Sequence, residues 1–195
     1  MNYSEQINAC AKNEIKKVNR TFCSSKINQN NKGTWQDYYM KSKEEKEIEQ
    51  LKKKRDSDVV WMNDNWIYKE IQPYVKGANS AAGWNFQWDY TEPCQFTEYK
   101  KGQYYDWHSD SSELPFDEPD NFNINGKIRK LSMTLCLTDP EEYEGGDMEF
   151  AFHDEDGDKQ PKICEEIRPK GSLIVFPSFV WHRVKPVTKG IRHSL

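Results

Sequence analysis

The amino-acid sequence predicts a mainly β protein with flanking helices, an α+β chain whose core is a sandwich or a barrel. From Gly83 onward, short runs of aromatic or β-branched residues are separated by Pro, Gly, Asn and Asp, a pattern typical of many short strands joined by turns. Helical patterns do not alternate with these runs, which argues against a parallel α/β fold. Apolar residues concentrate after residue 58, so we expect the core in the C-terminal two-thirds of the 195-residue chain.

The N-terminal part of the chain is polar, and its patterns predict helices. Residues 1–32 show weak helical periodicity, and residues 41–55 form a Lys/Glu run expected to be a solvated surface helix with i,i+4 charge pairs. Asp64 is suited to cap a further helix that continues to about Ala78. Pro73 lies near the centre of that helix and predicts a kink or a division into two pieces.

A change of composition near residue 57 divides the chain into two parts. We expect residues 1–57 to be a polar, mostly helical extension that packs on the core. Residues 58–195 are expected to be the β domain.

Nine segments are predicted to be strands. In chain order they are residues 84–90, 94–99, 104–108, 129–138, 147–152, 163–168, 172–176, 180–185 and 191–195. In the fourth segment, one face carries the apolar side chains Leu131, Met133, Leu135 and Leu137, with Arg129 at its beginning. The pattern leaves two positions open for Arg129: at the mouth of a barrel facing inward, or at a strand end facing solvent.

Charge and cysteine usage restrict the class of protein. The net charge of −4 and the pI near 5.7 argue against non-specific nucleic-acid binding, which usually needs a basic surface. The five cysteines are scattered and form no C-x-x-C pair, so free thiols in a reducing compartment are the simplest interpretation. Neither a signal peptide nor a membrane span is apparent. We expect a soluble, cytoplasmic protein.

A candidate metal site is formed by His108, Asp110 and His182. Residues 105–110 are predicted to be a strand, and residues two apart on a strand point to the same face, so His108 and Asp110 can aim at one point. His182, at the end of a later apolar run, can complete the set. Two histidines and one carboxylate on one face of a metal suit a non-haem Fe(II) oxygenase. Catalytic zinc, which also accepts three protein ligands, stays open at this point.

The two other histidines are expected to lie outside this site. His153 belongs to an acidic turn and is interpreted as a solvated loop residue. His193 follows Arg192 directly and should point to the opposite face of its strand. Residues 111–128 form a long insertion after the metal pair, which we interpret as a lid over the site. Arg192, ten residues after His182, is a fixed cation suited to binding a carboxylate.

Three stretches of the chain together resemble a known family. They are Phe96-Thr-Glu-Tyr99-Lys-Lys-Gly102-Gln-Tyr-Tyr105-Asp-Trp-His108-Ser-Asp110; Arg129-Lys-Leu-Ser-Met-Thr-Leu-Cys-Leu-Thr-Asp-Pro followed by Gly145-Gly146; and Pro169-Lys-Gly171-Ser-Leu-Ile-Val-Phe-Pro followed by His182-Arg-Val-Lys-Pro-Val187-Thr-Lys-Gly190-Ile-Arg192. In order, spacing and residue type, this block resembles the prolyl 4-hydroxylase-like branch of the Fe(II)/2-oxoglutarate dioxygenases. It looks closest to the bacterial and viral PKHD-type hydroxylases.

The resemblance implies a double-stranded β-helix, a distorted cupin-like jelly roll with helices packed outside. It implies His108, Asp110 and His182 as the Fe(II) ligands. Arg192 stands where the family places the cation that binds the C5 carboxylate of 2-oxoglutarate, and Tyr99 stands where relatives offer a hydroxyl to the same carboxylate.

The resemblance also bears on the substrate. Tyr105 and Arg129 match positions that face the peptide in related prolyl hydroxylases. The chain departs from the family pattern at two places. Met148 stands where some relatives use a Thr to help hold 2-oxoglutarate. Relatives also usually continue to a Trp that can help bind substrate, whereas this sequence ends three residues after Arg192.

The activity implied by the resemblance is hydroxylation of a peptidyl proline, with Fe(II), 2-oxoglutarate and O₂ as cofactor and co-substrates and ascorbate as reductant. The expected partner is a proline-containing peptide or protein. Alternatives are an oxygenase acting on another residue, a small molecule or a nucleic-acid base. A non-catalytic module that retains the fold, or a cupin-like zinc or storage protein, belongs to a different class. Oligomeric state is not indicated by any pattern in the chain.

Overall fold

A computed structural model describes residues 54–153 and 159–195 of this chain. Most of the predicted N-terminal extension, including the helical patterns over residues 1–32 and 41–53, lies outside the described residues. The acidic turn at 154–158 lies outside them as well. At the start of the described part, Arg55 is in a strand and not in the predicted Lys/Glu helix.

The described residues are mainly β, as the sequence predicts. The elements are β1 (Arg55–Asp56), β2 (Asp58–Met62), α1 (Asn65–Ala81), β3 (Cys94–Tyr99), β4 (Tyr104–His108), β5 (Leu131–Leu135), β6 (Tyr143–Gly145), β7 (Met148–His153), β8 (Lys159–Ile163), a 3₁₀ turn (Glu165–Ile167), β9 (Leu173–Pro177), β10 (Trp181–Val184), β11 (Val187–Gly190) and β12 (Arg192–Ser194).

The strands form two layers that face each other across a cavity. One layer is a five-stranded sheet in the order β1-β4-β10-β7-β8. The other contains the sheets β12-β3-β2 and β5-β9, which are joined by backbone hydrogen bonds between residues 135–137 and 193–195. Side chains of both layers, such as His108 from the first and Arg192 from the second, line the same cavity. This arrangement places residues that are far apart in sequence around one enclosed space.

Helix α1 covers the outside of the second layer. Ile67 and Ile71, one turn apart, are buried on its inner face. They pack in one apolar cluster with Val60, Met62, Cys94, Phe96, Leu137 and Leu195. Pro73 lies inside the helix, which runs through it without a break, so the predicted division into two pieces is wrong. Across residues 54–153 and 159–195, no helix has the length and apolar character needed to cross a bilayer.

The segment 84–90 was predicted to be a strand and is not one. Asn79, near the end of α1, explains the difference, because its side chain occupies both backbone hydrogen-bonding groups of Phe86. The Asn79 Nδ2 group donates to the Phe86 carbonyl at 3.1 Å, and the Phe86 N–H donates to Asn79 Oδ1 at 3.0 Å. Because the N–H and the carbonyl of Phe86 are both bonded to the Asn79 side chain, neither can form a hydrogen bond with a neighbouring strand.

The prediction of a strand over residues 163–168 also needs correction. The strand β8 ends at Ile163, after which the Cys164 N–H donates to the Met148 carbonyl at 2.8 Å and the chain enters the 3₁₀ turn. Sequence patterns missed β1, β2, β6 and β11 and most of β8. The strands β1, β6 and β11 are short, whereas β2, with the sequence Asp58-Val-Val-Trp-Met62, lacks a clear alternation of polar and apolar residues. The remaining seven strand predictions agree with the structure to within a few residues.

The alternating strand β5 is oriented by the helix. Met133 and Leu135 pack against the apolar cluster under α1, and Leu137, just beyond the strand, is buried within it. On the opposite face, Ser132 Oγ lies 2.9 Å from Ser178 Oγ, close to the cavity. The apolar face of β5 therefore covers the helix side, and polar groups are turned toward the space between the layers.

Candidate metal centre

The pairing of β4 with β10 brings two histidines side by side. His108 and His182 are register partners in the antiparallel ladder, and their ring centroids lie 4.1 Å apart. The next pair in the ladder is Val184 with Tyr105, so β4 contains one more residue than β10 over this stretch. Such a bulge changes the direction of the side chains, and it allows Tyr105 and His108, three residues apart, to face the same cavity.

Asp110 completes the set from the turn after β4, not from within a strand as the sequence suggested. Two backbone bonds hold this turn: the Asp110 and Ser111 N–H groups donate to the Ser178 carbonyl at 2.9 and 3.0 Å. Asp110 Oδ1 lies 3.8 Å from His108 Nε2, and Oδ2 lies 3.7 Å from His182 Nε2. One ligand atom from each of the three residues falls within 4.8 Å of the others.

Backbone contacts select the tautomer of both imidazoles. His108 Nδ1 lies 2.7 Å from the Asp106 carbonyl, and His182 Nδ1 lies 2.9 Å from the Val180 carbonyl. A carbonyl can only accept, so the proton is on Nδ1 in each ring and the lone pair of Nε2 is directed at Asp110. Burial, followed by the neighbouring His182, lowers the pKa of His108 to about 4. The imidazole of His108 is therefore neutral near pH 7 and able to bind a metal.

The donor chemistry of the three residues fits Fe(II). Two neutral imidazole nitrogens and one carboxylate make up the donor set of a facial triad that leaves further coordination positions open. His108 and His182 are buried, at 5% and 6% exposure, whereas the Asp110 side chain is 30% exposed and borders the cavity. The open side of the triad thus faces the space in which a co-substrate would lie.

Arg192 is a buried cation in the same cavity. It is 2% exposed, and no carboxylate within residues 54–153 and 159–195 forms an ion pair with it. Its Nη1 group donates to Ser194 Oγ at 3.3 Å, and its guanidinium carbon lies 5.6 Å from the centre of the Tyr99 ring. Burying a guanidinium without an anion is costly, and a bound carboxylate would offset that cost. The surroundings of Arg192 therefore fit an anionic ligand.

Gly146 and Tyr99 enclose the Arg192 side chain. A Cβ atom at Gly146, whose φ is +62°, would lie 3.0 Å from both Arg192 Cδ and Val187 Cγ2, so a side chain there would press on the arginine stem. Tyr99 is the register partner of Arg192 in the β12–β3 ladder and is 3% exposed. Burial raises the pKa of Tyr99, so its hydroxyl keeps its proton and can donate to an anion.

All of these groups line one cavity of about 620 Å³. The side chains around it include the histidine–aspartate set, Tyr99, Tyr105, Arg129 and Arg192. Met148 also lines the cavity and packs in an apolar cluster with Phe176, so it offers apolar contact where some relatives have a hydroxyl. Residues 87–93 before β3 and residues within 123–130 before β5 also contribute to its lining and are half-buried to exposed, so we take this side of the cavity as its opening.

The predicted lid, residues 111–128, borders this opening. It is folded back on itself by hydrogen bonds between Phe116 and the 126–127 pair, with Phe116 N–H to the Lys127 carbonyl at 2.9 Å and Gly126 N–H to the Phe116 carbonyl at 2.9 Å. Lys127 Nζ also forms an ion pair with Asp89 Oδ2 at 2.8 Å across the opening. The loop is therefore an ordered part of the rim, and its role as a lid stays a prediction.

Tyr105 and Arg129 line the cavity beside the metal triad. The Tyr105 ring stacks on His108 with centroids 3.5 Å apart. Arg129 Nη1 donates to the Asp110 carbonyl at 3.0 Å, and its other edge contacts the Glu92 carboxylate at 2.6 and 2.7 Å. Of the two positions that the sequence left open, the structure shows Arg129 directed toward the metal centre and half-buried.

His193, which the sequence placed on the opposite face, indeed points away from the metal centre. Its Nε2 lies 2.8 Å from Glu98 Oε2, and its Nδ1 lies 3.3 Å from Thr138 Oγ1. Sequence reasoning did not find three groups that border the centre: Ser178, Glu92 and Arg55. Ser178 follows Pro177 at the turn between two predicted strands, which was a usable signal, whereas nothing in the local pattern distinguishes the other two.

Comparison with known proteins agrees with this geometry. Residues 94–195 match the family model of the 2OG-Fe(II) oxygenase superfamily. A PKHD-type hydroxylase of Xylella fastidiosa (strain M23) is 35% identical over 102 residues, covering 52% of this chain and 41% of the relative. A PKHD-type hydroxylase of Aliarcobacter butzleri (strain RM4018) is 41% identical over 100 residues, covering 50% and 38%. The matched part thus spans about two-fifths of the length of these relatives.

A solved structure supports the fold. The viral collagen prolyl hydroxylase from Paramecium Bursaria Chlorella virus-1, crystallised as a 2OG complex, superimposes with a TM-score of 0.50 at 20% identity, covering 72% of this chain and 76% of the other. The two layers of strands form the double-stranded β-helix that the resemblance implied. With half of the chain matched by the family model and the histidine–aspartate set assembled in the cavity, the chain belongs to the 2OG-Fe(II) oxygenase superfamily.

Proposed function

We propose that this protein is an Fe(II)- and 2-oxoglutarate-dependent dioxygenase that hydroxylates a peptidyl proline. The observation that carries the proposal is the meeting, in one cavity, of a His-Asp-His donor set and a buried arginine with no carboxylate partner among the described residues. When bound, Fe(II) and 2-oxoglutarate use O₂ to insert one oxygen atom into a C–H bond of the substrate, with succinate and CO₂ as the other products.

The residues of the chain supply binding and orientation. His108, Asp110 and His182 would hold Fe(II) through two imidazole nitrogens and one carboxylate oxygen. Arg192 would bind the C5 carboxylate of 2-oxoglutarate, and its planar guanidinium allows a bidentate contact. Tyr99 would donate its hydroxyl to the same carboxylate. The buried walls keep water away from these charges, which strengthens each contact.

Tyr105 and Arg129 are proposed to face the peptide. Both line the cavity and contact residues of the metal triad, so a substrate side chain at the metal centre would lie close to them. Arg129 uses one edge for Glu92 and one N–H for Asp110, which leaves further N–H groups for a substrate carbonyl. Burial raises the pKa of Tyr105, so its hydroxyl also stays a donor.

A prolyl peptide is favoured by the likeness to PKHD-type hydroxylases and to a viral collagen prolyl hydroxylase. We include ascorbate as the external reductant and a reducing, cytoplasmic environment, in line with Cys94, Cys136 and Cys164 being free thiols. An oxygenase that acts on another residue type, a small molecule or a nucleic-acid base would use the same metal centre. The test below separates a proline substrate from these alternatives.

The test is succinate formation from 2-oxoglutarate with Fe(II) and ascorbate, with and without a library of proline-containing peptides whose masses are followed. Stimulated turnover with one oxygen added at proline is the expected result. Succinate that forms without stimulation and disappears in His108→Ala would support the oxygenase and leave its substrate open. Absence of succinate from protein that has metal bound would contradict the proposal and favour a binding module.

A further inference from the structure

A second arginine lies in the cavity, and it comes from a part of the chain that precedes the family match. Arg55 belongs to β1, the short edge strand that pairs with β4, and its register partner is Tyr105. The match to the family model begins only at Cys94. Arg55 nevertheless lines the same cavity as His108 and Arg192. The segment before the matched domain therefore contributes a charged group to the site.

Arg55 is held in place by neutral groups. Its guanidinium carbon lies 4.5 Å from the centre of the Tyr105 ring. Its Nε group donates to Ser57 Oγ at 2.7 Å, its Nη1 group to Gln95 Oε1 at 3.1 Å and its Nη2 group to Thr97 Oγ1 at 3.3 Å. These three contacts fix the orientation of the guanidinium but do not neutralise it. Its two other N–H groups remain for the Tyr99 and Tyr105 hydroxyls, with which Arg55 also interacts, or for a ligand.

The charge of Arg55 has no partner among the described residues. Within residues 54–153 and 159–195, no carboxylate forms an ion pair with Arg55, just as none pairs with Arg192. By contrast, Arg129 and Arg183 are paired with Glu92 and Glu149, respectively. Two uncompensated cations that border one partly enclosed space favour an anion with more than a single contact point.

Both unpaired arginines, Arg55 and Arg192, lie close to Tyr99. Burial raises the pKa of the Tyr99 hydroxyl, and the charges of Arg55 and Arg192 both act against that rise, with a further contribution from a hydrogen bond with Arg55. Arg55 lies on the side of Tyr105 and the metal triad, whereas Arg192 lies on the side of Gly146. Arg55 also donates to Thr97, which lies two residues before Tyr99 on β3 and so on the same face, and the Arg192 guanidinium carbon lies 5.6 Å from the Tyr99 ring centre. A carboxylate bound at the Tyr99 hydroxyl would therefore lie beside both arginines.

We propose that Arg55 is a second anion-binding residue of the co-substrate pocket, sharing the C5 carboxylate of 2-oxoglutarate with Arg192 and Tyr99. This inference rests on the proposed function, in which 2-oxoglutarate enters this cavity. It assigns a binding role to a residue outside the matched domain. It also gives the site a contact that depends on the N-terminal strand β1 remaining paired with β4.

The experiment measures ligand binding without turnover. Full-length protein loaded with Mn(II) in place of Fe(II) is titrated calorimetrically with 2-oxoglutarate and with 2-oxopentanoate, which has the same chain length but lacks the C5 carboxylate. In Arg55→Gln, the affinity for 2-oxoglutarate is expected to fall by about tenfold or more, as for loss of a charge-assisted hydrogen bond. The affinity for 2-oxopentanoate is expected to stay the same.

The matched control is Arg183→Gln. The guanidinium carbon of Arg183 lies 4.6 Å from the centre of the Trp107 ring on β4, a stacking contact like that of Arg55 on Tyr105, but Arg183 does not line the cavity. This variant is expected to bind both ligands like the wild type. If Arg55→Gln does not fold, as judged by thermal unfolding, Arg55→Met, which also removes the charge, is tested with the same two ligands.

Each outcome has a separate meaning. A loss confined to 2-oxoglutarate, in Arg55→Gln or Arg55→Met, supports the assignment. An equal loss for both ligands overturns it and makes Arg55 a support of the metal side of the pocket. Unchanged affinity for 2-oxoglutarate overturns it as well. If the metal-loaded wild type does not bind 2-oxoglutarate, the proposed function itself is contradicted. That result comes from the wild type alone and is therefore distinct from any result with the Arg55 variants.

Discussion

Arg129 holds the main chain of the metal-binding turn at Asp110. Its Nη1 group donates to the Asp110 carbonyl at 3.0 Å, and Glu92 binds the other edge of the guanidinium at 2.6 and 2.7 Å. The ring of Phe116 lies 5.2 Å from the guanidinium carbon. A residue that the family resemblance assigns to the substrate thus also supports a proposed metal ligand, and mutation can separate the two roles.

We expect Arg129→Ala to lower peptide hydroxylation at least about tenfold, as for loss of a charged hydrogen-bond donor, while 2-oxoglutarate decay without peptide changes little. Peptide-dependent and peptide-independent succinate formation are measured side by side. Glu92→Gln keeps the arginine but removes its ion-pair partner, and its activity should lie between wild type and Arg129→Ala. Equal loss of both activities, together with weaker Fe(II) binding, would assign Arg129 to supporting Asp110 only.

The metal triad is tested through metal content. Fe(II) binding should be lost in each of the variants His108→Ala, Asp110→Ala and His182→Ala. Succinate formation should fall by at least about a hundredfold, because neighbouring groups do not replace a lost metal ligand. His193→Ala is the matched control, since His193 and His182 are both 6% exposed but His193 contacts Glu98 instead of the cavity. A triad variant with normal metal content and activity would remove that residue from the set.

Gly146 tests the fit around Arg192. In Gly146→Ala, the new Cβ would lie 3.0 Å from Arg192 Cδ, and the alanine would adopt a φ of +62°. Gly171→Ala is matched in backbone, with a φ of +86°, but has open space around the new atom. Both variants should lose about 1–2 kcal/mol of stability from the left-handed backbone.

Only the Gly146 variant should affect the ligand. Displacement of Arg192 by a few tenths of an ångström is expected to weaken 2-oxoglutarate binding by about tenfold, equivalent to about 1.4 kcal/mol. Thermal unfolding and calorimetric titration of the Mn(II)-loaded protein measure the two effects. The same loss of affinity in Gly171→Ala would show that backbone strain, and not contact with Arg192, is responsible.

The free energy of unfolding is expected to depend on pH through Glu98. The hydrogen bond with His193, 2.8 Å long, is the main cause of the lowered pKa of Glu98, and Lys100 adds to it. A carboxyl whose pKa is lower in the folded state binds fewer protons when folded, so its contribution is present above the usual carboxyl pKa. That contribution is lost as the pH falls through the lowered pKa of the folded state.

Glu98→Gln should therefore be less stable than wild type near pH 7 by about 1–3 kcal/mol, the range for a hydrogen bond to a charged group. The difference should shrink as the pH is lowered below 4, since wild type then loses the same interaction. Urea unfolding at several pH values measures this. A constant difference between the two proteins across that range would mean that the Glu98 charge does not contribute.

Local patterns were sufficient to predict most strands and the residues that meet at the metal centre. The strands at 94–99 and 104–108 were predicted with their observed ends, because alternation and flanking turn residues are local properties. By contrast, residues 84–90 have strand-like composition, yet Asn79 binds the backbone of Phe86 and excludes a strand. The outcome there depends on a contact that composition does not encode.

The sequence by itself predicted the mainly β fold and selected His108, Asp110, His182 and Arg192 as the candidate site. The types and spacings of these residues narrowed the chemistry, and the resemblance of the surrounding motifs to one family favoured Fe(II) over zinc. Only the tertiary structure decided which face of β5 covers helix α1 and how Ser178 positions Asp110. It alone showed that Arg55, from the edge strand before the matched domain, reaches the cavity. The physical reason is that packing and strand pairing join residues that are distant in sequence, and no local periodicity records those contacts.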